Sequence, residues 1–202
     1  LHLSANGILS VIHMPFEGDK AMVMQFDTNG KLIKQLPPRK DLLVRNFDGE
    51  LFNTRNTQAF EMQHTSCDTL FHYDVKTNTL RPVFTMKVKE EMTNFKQYIE
   101  LPRHYATYIF GKGRVLTDKK SGNSTYFNVV NDYYGNMSTP FSIMHVRNGH
   151  YVCNLEPGQL MTAIENRLKE NSCTAKDKQT LTKLLDTLDE NSNNLVFIGK
   201  LK

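Results

Sequence analysis

The sequence has no tryptophan, only three cysteines among 202 residues, and no long apolar run. The cysteines, Cys67, Cys153 and Cys173, lack the close spacing of a zinc site or a redox pair. Cys67 and Cys153 fall in apolar strand-like runs, where a buried free thiol is expected. No stretch approaches the ~20 apolar residues that a membrane helix needs. These absences exclude a cysteine-rich zinc or redox domain and predict that no helix spans a membrane.

A concentrated basic surface is also missing. The net charge of +4 is spread along the chain, and the densest basic stretch, residues 112–120, also contains Asp118. Nucleic-acid binding usually needs a concentrated basic face, so we expect no nucleic-acid partner. Hydrophobic residues at 39% and charged residues at 23% are typical of a globular domain and exclude a disordered or collagen-like chain.

What the sequence does contain is a series of short strand-like runs between Gly7 and Asn154, separated by turn residues. The predicted strands are 8–13, 21–27, 31–36, 57–63, 69–74, 80–86, 105–110, 114–118, 125–131, 141–147 and 150–154. Asn29-Gly30 and Asn148-Gly149 each favour a tight hairpin with a type I′ turn, because both central residues of that turn need positive φ.

The pattern becomes helical after Asn154. Apolar residues recur at helical spacing in two segments of the stretch 157–190, which predicts two amphipathic helices. They are Leu160, Met161, Ile164 and Leu168 in the first segment and Leu181, Leu184, Leu185 and Leu188 in the second. Residues 191–194 then end the second helix, and 195–201 is predicted to be a last strand. That strand needs a sheet to join, as the closing strand of a propeller blade does.

A strand-turn-strand phrase occurs twice, at residues 21–36 and 68–84. Each copy places an aromatic-Asp pair before a polar turn, and the pairs Phe26-Asp27 and Tyr73-Asp74 lie 47 positions apart. A repeat of this length built from strands predicts an all-β fold made of β-propeller blades. At ~40–50 residues a blade, the chain supplies about three to four blades. A smaller barrel or a sandwich is the alternative fold.

Three features resemble a family of six-bladed β-propeller proteins that abounds in gut Bacteroidetes and is related to NHL-repeat propellers. Residues 68–73 look like the family's Asp-Thr/Ser-Ile/Leu-Tyr strand, and residues 80–84 look like the aliphatic-Pro strand that follows it. Residues 193–202 are similar to the family's closing segment, with Asn194 in place of the usual Pro. The helical stretch 158–190 is similar to the insertion that precedes that ending.

The resemblance implies that residues 1–202 form one propeller-type region, the C-terminal part of a longer six-bladed protein. The sequence starts at Leu1 without a Met, which agrees with this expectation. A partial propeller has open blade faces, which a companion chain or a second copy is expected to cover. Family members are often exported, and many carry a lipoprotein signal, which implies a periplasmic or cell-surface location.

Two groups of side chains are candidate binding residues. Tyr133 and Tyr134 precede Gly135-Asn136 in a loop, where an aromatic ring with a polar tip suits a sugar or a peptide. A two-residue turn at Asn148-Gly149 fixes the register of a hairpin, in which Arg147 faces His150 and Val146 faces Tyr151. Alternation then places His145, Arg147 and His150 on one face. The opposite, apolar face is predicted to contain Met144, Val146, Tyr151 and Cys153. Two histidines do not complete a zinc site, so we expect no metal and no cofactor.

We therefore expect a non-catalytic binding propeller that recognises a glycan, a peptide or a protein. Its predicted ligand-binding residues are Tyr133, Tyr134, His145, Arg147 and His150. One alternative is a metal-assisted propeller lyase or hydrolase that uses His64, His72 and His104 around a central channel. Another alternative is a surface scaffold. The sequence contains neither a Gly-x-Ser-x-Gly elbow nor a phosphate-binding glycine loop, and we assign no catalytic residue.

Overall fold

The computed structural model describes residues 1–44, 51–56, 60–64, 67–87 and 95–200. The chain divides into two compact units, Leu1–Ser124 and Thr125–Lys202. It is mostly β, with several antiparallel sheets and two α-helices. The predicted predominance of strands is therefore confirmed, and so are the two helices within the stretch 157–190.

Three four-stranded antiparallel sheets form between His2 and Tyr126, and in each of them the strands are ordered as they follow in the chain. The first sheet contains β1 (His2–Leu3), β2 (Leu9–Ile12), β3 (Val23–Phe26) and β4 (Leu32–Leu36). The second contains β5 (Leu51–Thr54), β6 (Phe60–His64), β7 (Leu70–Asp74) and β8 (Thr79–Phe84). The third contains β9 (Lys96–Glu100), β10 (His104–Ile109), β11 (Gly113–Asp118) and β12 (Ser124–Tyr126). Each sheet is thus a meander in which sequence neighbours pair.

An aspartate occupies the same place in all three sheets, at the turn between the third and fourth strands. In each case the carboxylate accepts two backbone N–H groups of the turn at 2.6–3.1 Å. Asp27 accepts from Asn29 and Lys31, Asp74 from Lys76 and Thr77, and Asp118 from Lys120 and Ser121. Each turn also contains a residue with positive φ, namely Gly30, Asn78 or Gly122. The structural repeat therefore has three copies, of which the sequence pattern reveals the first two.

The two predicted Asn-Gly hairpins differ. Asn148 and Gly149 both have positive φ, 50° and 73°, as a type I′ turn requires. At Asn29-Gly30 only Gly30 has positive φ, 76°, so the prediction of a type I′ turn is wrong there. The Asp27 carboxylate accepts the N–H of Asn29 and stabilises a different turn in which Asn29 keeps its ordinary conformation.

Apolar side chains of the first two sheets, together with Leu42 of the 3₁₀ helix Lys40–Leu42 and Met22 just before β3, form a core in the first unit. Its buried members are Met22, Val23, Leu42, Phe60, Met62, Phe71 and Tyr73. A polar side chain also joins these sheets, because Gln25 Nε2 donates to the Tyr73 hydroxyl and to the Val75 carbonyl, each at 2.7 Å. Consecutive sheets are therefore held together by apolar packing and by buried hydrogen bonds.

The second unit contains the helices and the remaining strands. Strands β13 (Val130–Asn131) and β14 (Met137–Ser138) pair with each other. Strands β15 (Val146–Arg147), β16 (His150–Leu155) and β17 (Leu195–Lys200) form a three-stranded antiparallel sheet. The last strand thus joins a sheet as predicted, although residue 201 lies outside the described residues. Cys153 is buried as predicted, whereas Cys67 in the first unit is half-buried.

Both helices begin with local signals that are visible in the sequence. Helix α1 (Pro157–Lys169) starts at a proline, whose fixed φ suits the first helical position. Helix α2 (Ala175–Leu185) starts with a capping box, in which Thr174 Oγ1 accepts the Asp177 N–H at 3.1 Å and Asp177 accepts the Thr174 N–H at 3.2 Å. The buried faces of the helices pack in one cluster with β14. Its fully buried members are Leu160, Ile164 and Leu181.

Several predicted strands differ from the observed ones. The sequence patterns miss β1, β5, β9 and β14, and the predicted strand 125–131 is divided between β12 and β13. Residues 57–59 of the predicted strand 57–63 lie outside the described residues, and the rest falls in β6.

The predicted strand 141–147 is wrong over most of its length. Ile143–His145 form a 3₁₀ turn, and only Val146–Arg147 is a strand. The turn is stabilised locally, because His145 Nδ1 accepts the Ser142 N–H at 3.0 Å. Met144 is consequently exposed, although the alternating pattern places it on the apolar face.

Candidate functional site

Tyr133 and Tyr134 lie in the turn between β13 and β14. The side-chain oxygen of Asn131 accepts the backbone N–H of both tyrosines at 3.1 Å, which fixes the turn. Tyr133 is 79% exposed. The Tyr134 ring packs edge-on against Phe197 of β17 with centroids 5.4 Å apart, and the two tyrosine rings are 5.0 Å apart. The turn therefore presents an exposed aromatic ring on a packed base.

A cleft of about 490 Å³ opens beside this turn. We call it the tyrosine cleft, and its walls are residues 129–134 and 195–199 with Thr139 and Tyr151. Its volume is within the usual range for small-molecule sites. One wall is the edge strand β17, from which Val196 and Ile198 are exposed to solvent. The cleft thus combines apolar side chains, three tyrosines and a strand edge, which suits a sugar ring or an extended peptide.

The hairpin residues that the sequence singles out do not line this cleft. The ring of His145 lies 5.9 Å from that of Tyr151, and its Nδ1 is occupied by Ser142. His150 Nδ1 donates to the Asn148 carbonyl at 3.0 Å, and Arg147 pairs with His150 across the hairpin as predicted. Tyr151, which the sequence pattern assigns to the core, is the hairpin residue that lines the cleft.

The histidines considered for a metal-assisted enzyme have three different surroundings. His64 is buried in β6, and burial lowers the pKa of its ring. His104 Nε2 lies 3.7 Å from Asp118 Oδ2, and His72 bonds Glu100. Within the part of the chain that the structure describes, no group of three or more His, Cys, Asp or Glu side chains is placed to hold a metal ion.

A buried ionic network connects the second and third sheets. Glu100 on β9 has a side chain only 6% exposed, and its Oε1 accepts from Lys119 Nζ at 2.5 Å while its Oε2 bonds His72 Nε2. Arg81 Nη2 lies 3.3 Å from His72 Nδ1. Because a guanidinium can only donate, Nδ1 is the acceptor, and the His72 proton lies on Nε2 facing Glu100. Burial opposes ionisation of Glu100, but the hydrogen bonds from His72 and Lys119 outweigh it and lower the pKa of the carboxyl.

A second ion pair joins β9 of the third sheet to the segment just before β7. Lys96 Nζ donates to Asp68 Oδ2 at 2.5 Å, and the Tyr98 hydroxyl donates to Asp68 Oδ1. Burial raises the pKa of Tyr98, and the neighbouring Asp68 raises it further, so the phenol stays protonated as a donor. The partners of Lys96 and Glu100 are 19 to 28 residues away in the chain, which is why sequence patterns do not reveal either network.

Comparison with known proteins gives one structural relative. No family model matches the sequence, and no curated protein matches it. The fold is similar to that in the crystal structure of a "Putative exported protein" from Bacteroides fragilis NCTC 9343, with a TM-score of 0.58 and 13% sequence identity. The match covers 100% of this chain and 64% of that protein, so the chain spans about two thirds of its relative's length. At this identity, the likeness shows a shared fold alone.

The helices of the second unit are too short and too polar to cross a membrane, and no other helix in the described ranges is long and apolar enough to do so.

Proposed function

We propose that this chain is a region of a β-propeller that binds a ligand and does not catalyse a reaction. Three consecutive four-stranded meanders support the propeller, since a blade is a four-stranded antiparallel sheet and blades follow one another along the chain. The aspartate turn that recurs after β3, β7 and β11 supports a structural repeat of this kind. The resemblance to six-bladed propellers of Bacteroidetes adds the proposal that residues 1–202 are the C-terminal part of a longer ring.

The proposal extends to location and to assembly. The relative from Bacteroides fragilis is named as exported, which supports a periplasmic or cell-surface location for this chain. A partial ring leaves the faces of its end blades to be covered, and a companion chain or a second copy is the proposed cover. Native mass spectrometry of the purified protein tests this part, because a single chain of 23.3 kDa that unfolds cooperatively contradicts it.

The observation that carries the binding proposal is the position of Tyr133. Its ring is 79% exposed, yet its backbone is fixed by Asn131 and its neighbour Tyr134 is anchored on Phe197. A large, exposed aromatic ring on a fixed base loses little conformational entropy when it stacks on a ligand. The volume of the adjacent cleft, about 490 Å³, is large enough for a sugar or a peptide side chain. We propose a glycan as the first ligand class to test and a peptide or protein as the second. His145, Arg147 and His150 are retained as proposed contacts for a ligand that extends beyond the cleft onto the hairpin.

The experiment is a binding screen of the purified protein against neutral oligosaccharides, repeated with Tyr133→Ala. The matched control is Tyr126→Ala, which removes another exposed tyrosine that does not line the cleft. We expect Tyr133→Ala to weaken binding about tenfold, the effect of losing one stacking contact of ~1–1.5 kcal/mol. Tyr126→Ala should bind as the unmodified protein does.

Two results would contradict the binding role of Tyr133. One is equal affinity of Tyr133→Ala and the unmodified protein for the same oligosaccharide. The other is equal weakening by both tyrosine variants, which indicates a general surface effect. Stability is measured in parallel by urea unfolding, where Tyr133→Ala is expected to cost less than about 1 kcal/mol because its ring is exposed.

A further inference from the structure

A second cleft lies in the first unit, and its lining is rich in basic side chains. It has a volume of about 450 Å³ and lies against β6, β7 and β8, with Phe60 and Tyr73 in its wall. We call it the cationic cleft, and its basic members are His2, Arg55, His72, Lys76 and Arg81. Asp74 is the acidic residue of the lining. The lining therefore contains three permanent positive charges, on Arg55, Lys76 and Arg81, and one negative charge, on Asp74.

The acidic residue of the cleft is already occupied. Asp74 Oδ1 accepts the Lys76 N–H at 2.8 Å and the Thr77 N–H at 3.1 Å, which are the bonds of the repeated aspartate turn. These backbone donors lower the pKa of Asp74, so its carboxylate stays ionised. Its Oδ1 is used in the hydrogen bonds of the turn. The cleft keeps an excess of positive charge that Asp74 only partly offsets.

Some cations outside the cleft are neutralised by carboxylates, whereas the permanent cations of the cleft have no such partner among the described residues. Lys96, Lys119 and Arg167 each form an ion pair with a carboxylate. Arg55, Lys76 and Arg81 form no ion pair with any carboxylate among residues 1–44, 51–56, 60–64, 67–87 and 95–200. Cations gathered in one cleft without carboxylate partners repel one another, and a bound anion relieves that repulsion.

Arg81 is also positioned by a hydrogen bond to His72. Its Nη2 donates to His72 Nδ1 at 3.3 Å, and His72 is in turn fixed by its bond to the buried Glu100. This contact uses one of the five N–H donors of the guanidinium. The other donors make no further hydrogen bond with the described residues, and Arg81 is one of the residues that line the cleft. A guanidinium that is positioned by a buried network presents donors in the fork geometry that carboxylate, sulfate and phosphate accept.

We propose that the cationic cleft binds a small organic oxyanion of monosaccharide size. The carboxylate, sulfate or phosphate group of the ligand bonds Arg55 and Arg81, and Lys76 adds a third positive charge. The volume leaves room for a sugar-sized body beside Phe60 and Tyr73. This site is independent of the tyrosine cleft, because the two clefts share no lining residue and lie in different units.

The experiment is isothermal titration calorimetry of the purified protein with three probes at low salt: D-glucuronate, D-glucose 6-phosphate and neutral D-glucose. The variants are Arg55→Gln and Arg81→Gln, and the matched control is Arg103→Gln, which removes the same charge from an exposed residue outside the cleft. We expect saturable binding of at least one anion, weakened about tenfold or more by each cleft variant and unchanged in Arg103→Gln. Which of the two anions binds more tightly identifies the head group that the site prefers.

Three results would overturn the proposal. In the first, neither anion binds. In the second, D-glucose binds as tightly as the anions, which means that the anionic group of the ligand does not contribute to the affinity. In the third, Arg103→Gln weakens binding as much as Arg81→Gln, which indicates screening of overall charge. Circular dichroism and urea unfolding of Arg55→Gln, an exposed residue, establish that a loss of binding does not come from a loss of fold.

Discussion

The side-chain amide of Gln63 pairs with the backbone of Tyr98 on the next sheet. Gln63 Oε1 accepts the Tyr98 N–H at 2.7 Å, and Gln63 Nε2 donates to the Lys96 carbonyl at 2.7 Å. Residues 96 and 98 belong to β9, which is the edge strand of the third sheet. The amide therefore takes the place of a neighbouring strand. Because Gln63 and Tyr98 are both buried, water does not replace these bonds easily.

We predict that Gln63→Ala destabilises the protein strongly. The variant leaves a backbone N–H and a backbone C=O of β9 without their partner in a buried place, at a cost of ~1–3 kcal/mol each. We expect the free energy of unfolding to fall by about 2–4 kcal/mol in urea titration. The matched control is Gln35→Ala on the exposed strand β4, which should change it by less than about 0.5 kcal/mol. Similar small losses in both variants would show that the amide of Gln63 is dispensable.

The Glu100 network predicts a dependence of stability on pH. The folded-state pKa of Glu100 is lowered from 4.5, so this group contributes stability at pH values above its unfolded pKa. That contribution is lost as the pH falls through the lower, folded-state pKa. We expect Glu100→Gln to be less stable than the unmodified protein at neutral pH, because Lys119 loses its partner. The difference between the two should shrink below about pH 4.5, where the unmodified carboxyl also becomes neutral on unfolding.

Thermal unfolding of both proteins from pH 3 to pH 7 checks this prediction. Glu17→Gln, at an exposed glutamate, is the control and should follow the unmodified protein over the whole range. A constant difference between Glu100→Gln and the unmodified protein at every pH would mean that the lost stability comes from packing and not from ionisation.

We predict that any side chain at Gly135 destabilises the protein. Its φ is +63°, and a Cβ built there lies 2.6 Å from Leu181 Cγ in helix α2. Gly122 has a similar φ of +73° but no atom within 4 Å of the same position, so it isolates the cost of the backbone conformation. We expect Gly122→Ala to cost about 1–2 kcal/mol and Gly135→Ala about 2–5 kcal/mol, because overpacking adds to the strain. Urea unfolding of both variants measures the difference, and equal losses would contradict the close packing at Leu181.

Local patterns predict much of the fold because the physical cause is local. Alternating apolar residues and turn residues predict β2, β3, β4, β7, β8, β10, β11, β16 and β17 within a few residues. The helices are predicted because the apolar residues on their buried faces repeat at helical spacing. The register of Val146 with Tyr151 is also correct, since a two-residue turn fixes the pairs beside it.

Strand β9 is missed because its charged residues do not follow the usual pattern of a buried strand. In β9, Lys96 and Glu100 are buried at the two ends, although charged residues normally indicate an exposed surface. They are tolerated because Asp68, His72 and Lys119 pair with them across the sheets. The third aspartate turn is missed because Thr117 stands where the other two copies have an aromatic residue.

The sequence alone determines the predominance of strands, the two helices, the loop that contains Tyr133 and Tyr134, and the first two of the three aspartate turns. Each of these follows from the chemistry of neighbouring residues. Only the tertiary structure decides which polar groups meet. It places Tyr151 and β17 beside the tyrosine loop, separates His145, Arg147 and His150 from that cleft, and gathers Arg55, Lys76 and Arg81 into another. These contacts join residues that are far apart in the chain. They are stabilised by burial and by long-range hydrogen bonds, and a local sequence pattern encodes neither.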